Sequence, residues 1–595
     1  MSSYRKEIDG LRAIAVLSVI LCHANFRFFE GGYIGVDIFF VISGYLITKN
    51  ILQNINNSNF SLLGFYKKRV LRILPTLYLV ILVCNILSYW LMMPDELKNY
   101  GQSILATSLF SNNILLWLTS GYWDLTSEFK PLLHTWSLGV EEQFYLLYPF
   151  ILIYLTKNFK DKLLFIIVII TVLSYGLAYY LNNLNPLFSF YLLPTRVWEL
   201  LLGAIISISN INRKPTINGL RSDSILSIIG LLMIAVSIIL FSKNNSAPAF
   251  ILVPTIGTVL ILFYANENTI TNKILSFAYV KYIGIISYSL YIWHQPIFAF
   301  AKIYSINPPS NFFYAVCIIV CFFLAFFTWK FVEEPARRSV GIFSNTIILI
   351  LIILTIANVA YGFYLNKTYG ISTRFFDPPV EIKDIDKRFY NERVFSFKSD
   401  NFINDGRLKI LVIGNSYGRD FVNMNLETFN NKKIELIYRD DMTDCIESYN
   451  NRISQDLYNQ SNIIIFASGY NENCLFNDIN HAEANKKNIF YLGFKQFGYN
   501  LNWLIRLNSK ERANLYNPIL SENIDIEYIM QEKVPAKNYI SIIKPIVKDG
   551  KIPITDSDGM PLSTDRNHLT KFGAIYLGRE ALLKSNYGLI IQNLE

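Results

Sequence analysis

Long apolar runs separated by short polar loops occupy the first 365 residues, near 11–29, 33–53, 70–93, 103–119, 134–156, 163–181, 194–210, 224–242, 249–265, 282–304, 311–332 and 344–365. Most approach the length at which a helix crosses a hydrocarbon core of roughly 30 Å, so they predict membrane spans. The run 103–119 differs: it holds Ser103, Thr107, Ser108, Ser111, Asn112 and Asn113 and reads as an interfacial or re-entrant segment. Eleven spans are therefore expected. Beyond them, residues 366–407 are polar, with Pro378 and Pro379, and read as a linker or an extension packed on the next domain. KILVIGNSYGRD then gives a β-branched strand, a Gly-x-Ser turn and a helix, and KIELIY and NIIIFASG supply further short strands. Strands alternating with helical stretches predict an α/β unit with a parallel sheet. The expected fold is a polytopic α-helical membrane bundle of about eleven transmembrane helices plus a C-terminal α/β domain. Its divisions fall at 1–340 (ten spans), 341–407 (eleventh span and linker) and 408–595.

Charge sets the expected orientation. From residue 366 onward, 29 Lys and Arg balance 29 Asp and Glu, so the whole net charge of +9 belongs to the membrane half, with 25 basic and 16 acidic residues. The cations lie in short loops, which argues for membrane orientation rather than a nucleic-acid surface. With eleven spans, nineteen Lys and Arg, among them Arg5, Arg12, Lys67, Lys157, Arg213, Lys214 and Arg337, fall on one side. Six fall on the other: Arg27, Lys98, Lys130, Arg196, Lys243 and Lys302. Letting 103–119 cross would reverse every later loop and destroy that bias. A cytoplasmic N-terminus and an extracytoplasmic C-terminal domain follow. The first apolar stretch, Leu11 to Cys22, has no small-residue cleavage site and opens a series of spans, so it is expected to remain as a span.

Ionisable side chains at membrane depth are costly and are candidates for function. His23 lies about 18 Å along the first helix, towards its outer side. His134 stands at the mouth of a later span, and His294 lies mid-span before Gln295 and Pro296, where helical hydrogen bonding is broken. Arg69 and Arg72, three apart, share a helix face at the cytoplasmic start of the third span and suit a phosphate group. Asp37 and the neighbours Glu141 and Glu142 are further candidates; Glu142 and His294 join Asp37 as members of a membrane site. Arg196 and Glu199 have the spacing of a local ion pair. By themselves these residues describe a polar path that would serve a transporter as well as an enzyme.

The C-terminal half carries a second constellation. Ser416 lies at a strand-to-helix turn that exposes its hydroxyl, and a serine nucleophile needs a base and an orienting group. His568, in STDRNHLTKFGA, has Asp565 three residues before it, so one segment can supply both. SGYNEN follows the NIIIFA strand, where Gly469 can offer a backbone N–H and Asn471 a side-chain donor to an oxyanion. His481, the other histidine of this half, falls in a polar stretch. Cys22, Cys84, Cys317 and Cys321 lie in spans. Cys445 and Cys474 lie in the C-terminal half, where a single disulfide is compatible with an extracytoplasmic site but is not established by spacing. No clustered His, Cys and carboxylate set has the spacing of a metal site, and no metal or bound cofactor is expected.

Six strings stand in an order that resembles membrane acyltransferase family 3: EIDGLRAIAVLSVILCHA, GYIGVDIFFVISGYLI, KKRVLRILP, HTWSLGVEEQFYLLYP, YSLYIWHQP and FVEEPAR, over residues 4–340. The resemblance implies ten spans, an essential role for His23, and handling of an acyl-coenzyme A donor by Arg69 and Arg72. Residues 408–585 resemble the SGNH hydrolases, with Ser416, Gly469, Asn471 and His568 on their blocks and Asn415 in place of the usual Asp. The fusion resembles polysaccharide O-acetyltransferases of the bacterial inner membrane. It implies acetyl-coenzyme A as donor substrate, membrane lipid as surroundings and an envelope glycan as acceptor, lipopolysaccharide O-antigen first and peptidoglycan second.

Overall fold

In hydrocarbon every backbone N–H and C=O must be paired within the protein, so the apolar runs have to fold as helices. The computed structural model describes residues 4–119, 127–210, 220–242, 247–377, 379–429, 431–449, 451–469 and 471–593. Arg213, Lys214, Lys243 and Pro378, used above, lie outside the described residues. The chain divides into two compact units. One comprises Met1–Tyr89, Asn99–Lys302 and Pro309–Lys367; the other comprises Trp90–Lys98, Ile303–Pro308 and Thr368–Glu595.

Among the described residues of the first unit, seven helical stretches are long and apolar enough to cross a membrane: Arg27–Asn56, Leu62–Leu91, Lys160–Leu184, Pro186–Ser209, Arg221–Leu240, Asn311–Arg338 and Gly341–Lys367. The other four expected spans are also helical, as Lys6–His23, Thr135–Asn158, Pro248–Tyr264 and Ser287–Tyr304. Pro248–Tyr264 is apolar but only 17 residues long. The remaining three carry ionisable side chains such as Arg12, Glu141 and Lys302. The run 103–119 is not one helix. Pro94–Ser108 and Asn112–Thr119 are separated by a break at which Phe110 has φ +52°. Asn112 Nδ2 donates to Leu132 O (2.9 Å) and Thr135 Oγ1 (2.8 Å), which stitches the break to the start of Thr135–Asn158. The helix around His294 runs unbroken from Ser287 to Tyr304 through Pro296, so the proline removes one hydrogen bond without ending the helix.

In the second unit, strands β1 (Leu408–Ile413), β2 (Ile434–Arg439), β3 (Ile463–Phe466), β4 (Asn488–Leu492), β5 (Tyr516–Pro518), β6 (Tyr539–Ile540) and β7 (Lys551–Pro553) form two sheets. The larger is fully parallel in the order β2-β1-β3-β4-β6, and β5 pairs antiparallel with β7. Alternation along β1 divides the core between two faces. Ile410 and Val412 pack with Phe421, Val422 and Met424 of helix Ser416–Thr428, whereas Leu411 and Ile413 pack with Leu457, Leu475 and Ile479. The chain leaves β1 for β2 on one side and returns to β3 on the other, so the crevice at the carboxyl ends of β1 and β3 is the switch point where such sheets place their sites. Within 366–407, Phe375, Phe376, Ile385, Tyr390 and Val394 are buried in this core, so the stretch is an extension packed on the sheet unit.

Cys445 and Cys474 are joined by a disulfide, 29 residues apart in sequence. Closing a loop of that length restricts the unfolded chain by about 3–4 kcal/mol. The double variant C445S/C474S is therefore expected to expose the second unit to protease at lower temperature in the full-length, detergent-purified protein, with no change in the cleavage of the first unit.

Candidate functional site

Two helices of the first unit present arginines to one cavity. Arg12 comes from Lys6–His23, and Arg69 and Arg72 come from Leu62–Leu91. The cavity measures about 90 Å³, and its wall also includes Ser43, Ser137, Glu141, Tyr145 and Tyr291. Arg69 stacks over the Tyr145 ring at 4.4 Å. Glu141 accepts from Tyr145 Oη (2.7 Å) and Ser43 Oγ (3.2 Å). Three arginines against one carboxylate leave the wall cationic, and guanidinium forks suit phosphate oxygens. Glu142, next to Glu141 but turned about 100° around the helix, is absent from this wall.

A second cavity, about 80 Å³, is lined by His23, His134, Asp37, Arg196 and Tyr33. Val36 and Tyr291 line both cavities, so a single layer of side chains separates them. Tyr291 is anchored there: its hydroxyl is 2.6 Å from Ser137 Oγ and donates to His134 O at 3.0 Å.

His23 and His294 are directly bonded, Nδ1 to Nε2, at 3.1 Å. His294 Nδ1 is 2.5 Å from the backbone oxygen of Tyr291. A carbonyl oxygen can only accept, so His294 carries its proton on Nδ1 and its lone pair on Nε2. That lone pair in turn requires the proton of neutral His23 on Nδ1. His23 therefore carries its own lone pair on Nε2, the state needed in a base or nucleophile. The His134 ring packs edge-on against His294 with centroids 5.3 Å apart. Asp37 and Glu199 (Nε–Oε1 3.2 Å) both pair with Arg196, which is also surrounded by the Phe40, Trp136 and Phe190 rings. Arg196 and Glu199 thus pair locally, and Asp37 joins them. Among the described residues no group of three or more His, Cys, Asp or Glu side chains is arranged to hold a metal ion.

In the second unit Ser416 opens helix Ser416–Thr428 at the end of β1, and at 3% exposure it is buried there, not presented to solvent as the turn predicts. Asn415 caps that helix, its Oδ1 accepting from Tyr417 N at 3.0 Å, a role for which Asn and Asp are equally suited. Burial pushes the Tyr438 phenol up to about 12, so it stays a donor, and it braces the turn by bonding Asn415 O at 3.1 Å. A Cβ on Gly414 would come within 2.9 Å of the Ala467 backbone, so this close passage of β1 past β3 requires glycine.

His568 Nδ1 is bonded to Asp565 Oδ2 at 2.6 Å, and Asp565 Oδ1 accepts from the backbone N–H groups of Asn567 (3.0 Å) and His568 (2.9 Å). The carboxylate fixes the proton on Nδ1 and leaves Nε2 as the basic nitrogen. Arg566, between them, is held at φ +87°, a strained conformation of the kind that gathers at active sites. The loop is tied to the serine helix through Asp420, one turn beyond Ser416, whose Oδ1 accepts from Leu569 N at 3.3 Å. Gly469 and Asn471 follow β3. Ile413 and Phe466 are register partners, so Ser416 and Gly469 each lie three residues past the same rung. Gly469 adopts φ +106°, which favours glycine, and Asn471 Oδ1 accepts from Asn473 N at 3.1 Å, leaving its amide as the donor end. His481 is exposed on helix Leu475–Ala484 and bonded to Tyr458 Oη at 2.6 Å, outside this constellation.

Sequence reasoning did not single out Arg12 or Tyr291 as site residues, nor Asp420. Arg12 counted only as a loop cation, although its place six residues into a helix could have flagged it; a tyrosine in an aromatic-rich span carries no local signal.

Residues 5–330 match the family described as "Acyltransferase domain". The chain is similar to the peptidoglycan O-acetyltransferase OatA of Listeria monocytogenes, 34% identical over 350 residues, or 56% of either chain. It is also similar to the O-acetyltransferase OatA of Staphylococcus aureus strain NCTC 8325, 30% identical over 384 residues, covering 59% of this chain and 62% of that one. The strain MRSA252 protein is 31% identical over 358 residues, with 56% and 58% covered. The alignments thus span only 56% to 62% of the length of these relatives. No solved structure matches the chain.

Arg196→Leu is expected to leave two buried carboxylates without their cation and to lower stability by about 3–5 kcal/mol. The measurement is the thermal unfolding midpoint of the full-length protein in detergent, compared with the exposed control Arg338→Leu.

Proposed function

The chain belongs to the acyltransferase family that this domain defines, and from that premise we propose that it is an O-acetyltransferase carrying acetyl groups from cytoplasmic acetyl-coenzyme A to hydroxyls of peptidoglycan. One observation carries the reading: an arginine-walled cavity and a histidine cavity share Val36 and Tyr291 as their common wall. Phosphates of the donor bind Arg12, Arg69 and Arg72, and the thioester end reaches towards His23 Nε2, the basic nitrogen. The protein has eleven spans in the cytoplasmic membrane of a bacterium, its N-terminus inside and its sheet unit outside. The loop-charge bias supports that orientation, as does the Cys445–Cys474 disulfide, which suits an oxidising compartment.

In the sheet unit, Ser416 Oγ attacks the acyl carbonyl carbon and its proton passes to His568 Nε2. The tetrahedral intermediate, its oxygen facing Gly469 N–H and the Asn471 amide, collapses as the group that presents the acetyl on the outer side departs with that proton, coenzyme A having left as the thiol on the inner side when that group took the acetyl. A glycan hydroxyl then attacks the Ser416 ester, gives its proton to His568, and receives the acetyl group as Ser416 Oγ is released and reprotonated. The relative from Listeria is named for peptidoglycan, which supports that acceptor over the O-antigen expected from the sequence.

Ser416→Ala in the producing cell is expected to remove acetyl esters from peptidoglycan by mass spectrometry of the isolated wall. Unchanged acetylation would overturn the relay, and lost O-antigen esters with intact peptidoglycan would reassign the acceptor. The tautomer chain makes a separate prediction. His294→Phe should reduce transfer as far as His23→Ala does, while His294→Gln, whose Oε1 can still accept from His23 Nδ1–H, should retain at least a tenth of the parental rate.

A further inference from the structure

We propose that Lys495 is a positioning residue that sets the alignment of Ser416 with His568. The proposal rests on the reading of those two residues as nucleophile and base.

Lys495 lies three residues beyond the end of β4 and is 1% exposed. Its Nζ pairs with Asp420 Oδ2 at 2.6 Å and donates to the backbone oxygen of Asn567. The other Asp420 oxygen accepts from Leu569 N at 3.3 Å. The residues on both sides of His568 are therefore held by one Lys–Asp pair, and the acidic half of that pair stands one helical turn from Ser416 on the same face. Lys495 also reaches the residue after the nucleophile. Its Nζ lies 4.4 Å from the centroid of the Tyr417 ring, and Tyr417 Oη donates to Lys495 O at 3.4 Å.

An ammonium has three donors and no acceptor. Here they face a carboxylate, a carbonyl and an aromatic face, so Lys495 can neither take a proton from Ser416 nor attack an acyl group. Its contacts do something else: they cross-link three segments far apart in sequence, the β1–helix turn, the end of β4 and the Asp565–His568 loop. A buried ion pair generally adds little to stability over a well-packed apolar pair. What it can add is geometry, because an ammonium placed between two acceptors allows few alternative arrangements. Without it, the Asn567 oxygen loses its tie to the serine helix, and the Leu569 N–Asp420 bond is left without the cation that fixes its acceptor.

The test uses the full-length protein in detergent, a fluorophosphonate that labels an activated serine, and transfer of acetyl groups to peptidoglycan fragments. Lys495→Met alone leaves a buried carboxylate and is expected to fold poorly, so the decisive variant is D420N/K495M, which removes both charges. It is expected to elute and resist protease like the parent, yet to label Ser416 at least tenfold more slowly and to lose kcat rather than raise KM. D420N/K495Q, whose amide can still donate to the Asn567 oxygen, should recover part of the labelling rate. A folded D420N/K495M labelled at the parental rate would overturn the role of Lys495. Ser416→Ala and His568→Ala run beside it: parental transfer by those variants would overturn the underlying assignment itself, whereas their inactivity beside an active D420N/K495M removes only Lys495.

Discussion

A carbonyl oxygen accepts and never donates, and from that asymmetry at Tyr291 the protonation of the His294–His23 pair follows. Tyr291 O fixes the proton of His294, His294 fixes that of His23, and the lone pair emerges on His23 Nε2. The same residue closes the wall between the two cavities with its side chain and holds Ser137 and His134 through its hydroxyl. Position and protonation state are thus set by one tyrosine, half through its backbone and half through its ring.

The sheet unit solves the same problem with a different partner. There the orienting group is the Asp565 carboxylate, itself held by hydrogen bonds from two backbone N–H groups. Among apolar helices a second unpaired charge would be expensive, and a neutral carbonyl orients an imidazole without one. Asp37, Arg196 and Glu199, buried in the bundle, are gathered into one mutually paired cluster among aromatic rings.

How much of this could be read from the sequence depended on distance along the chain. The α/β unit, Ser416 at its strand-to-helix turn and the Asp565–His568 pair are local features, and turn chemistry and spacing exposed them. Three of the helices that fall below the apolarity of a free-standing span, Lys6–His23, Thr135–Asn158 and Ser287–Tyr304, are those that furnish Arg12, His23, Glu141, Tyr291 and His294. Their weak hydropathy is therefore itself a signal of the site. Between Glu141 and Glu142 the sequence offered no choice, since only the rotation of one helix against its neighbours decides which faces the cavity. Lys495 and Asp420 were invisible for a similar reason: one is 75 residues from the other in the chain, and each alone looks like an ordinary surface charge.

The second unit is not a continuous stretch of polypeptide. Met93 N donates to Asn502 Oδ1 at 2.7 Å, and Asn500 Nδ2 donates to the backbone oxygens of Ile303 (2.6 Å) and Ser305 (2.8 Å). Two loops made long before the sheet thus supply donors and acceptors to its interior. During synthesis they must wait until the last third of the chain arrives to enclose them. A gene fragment beginning after Lys367 would lack both loops and would leave the buried amide of Asn500 facing water, so the boundary that looks natural in the amino-acid pattern is not a boundary of folding.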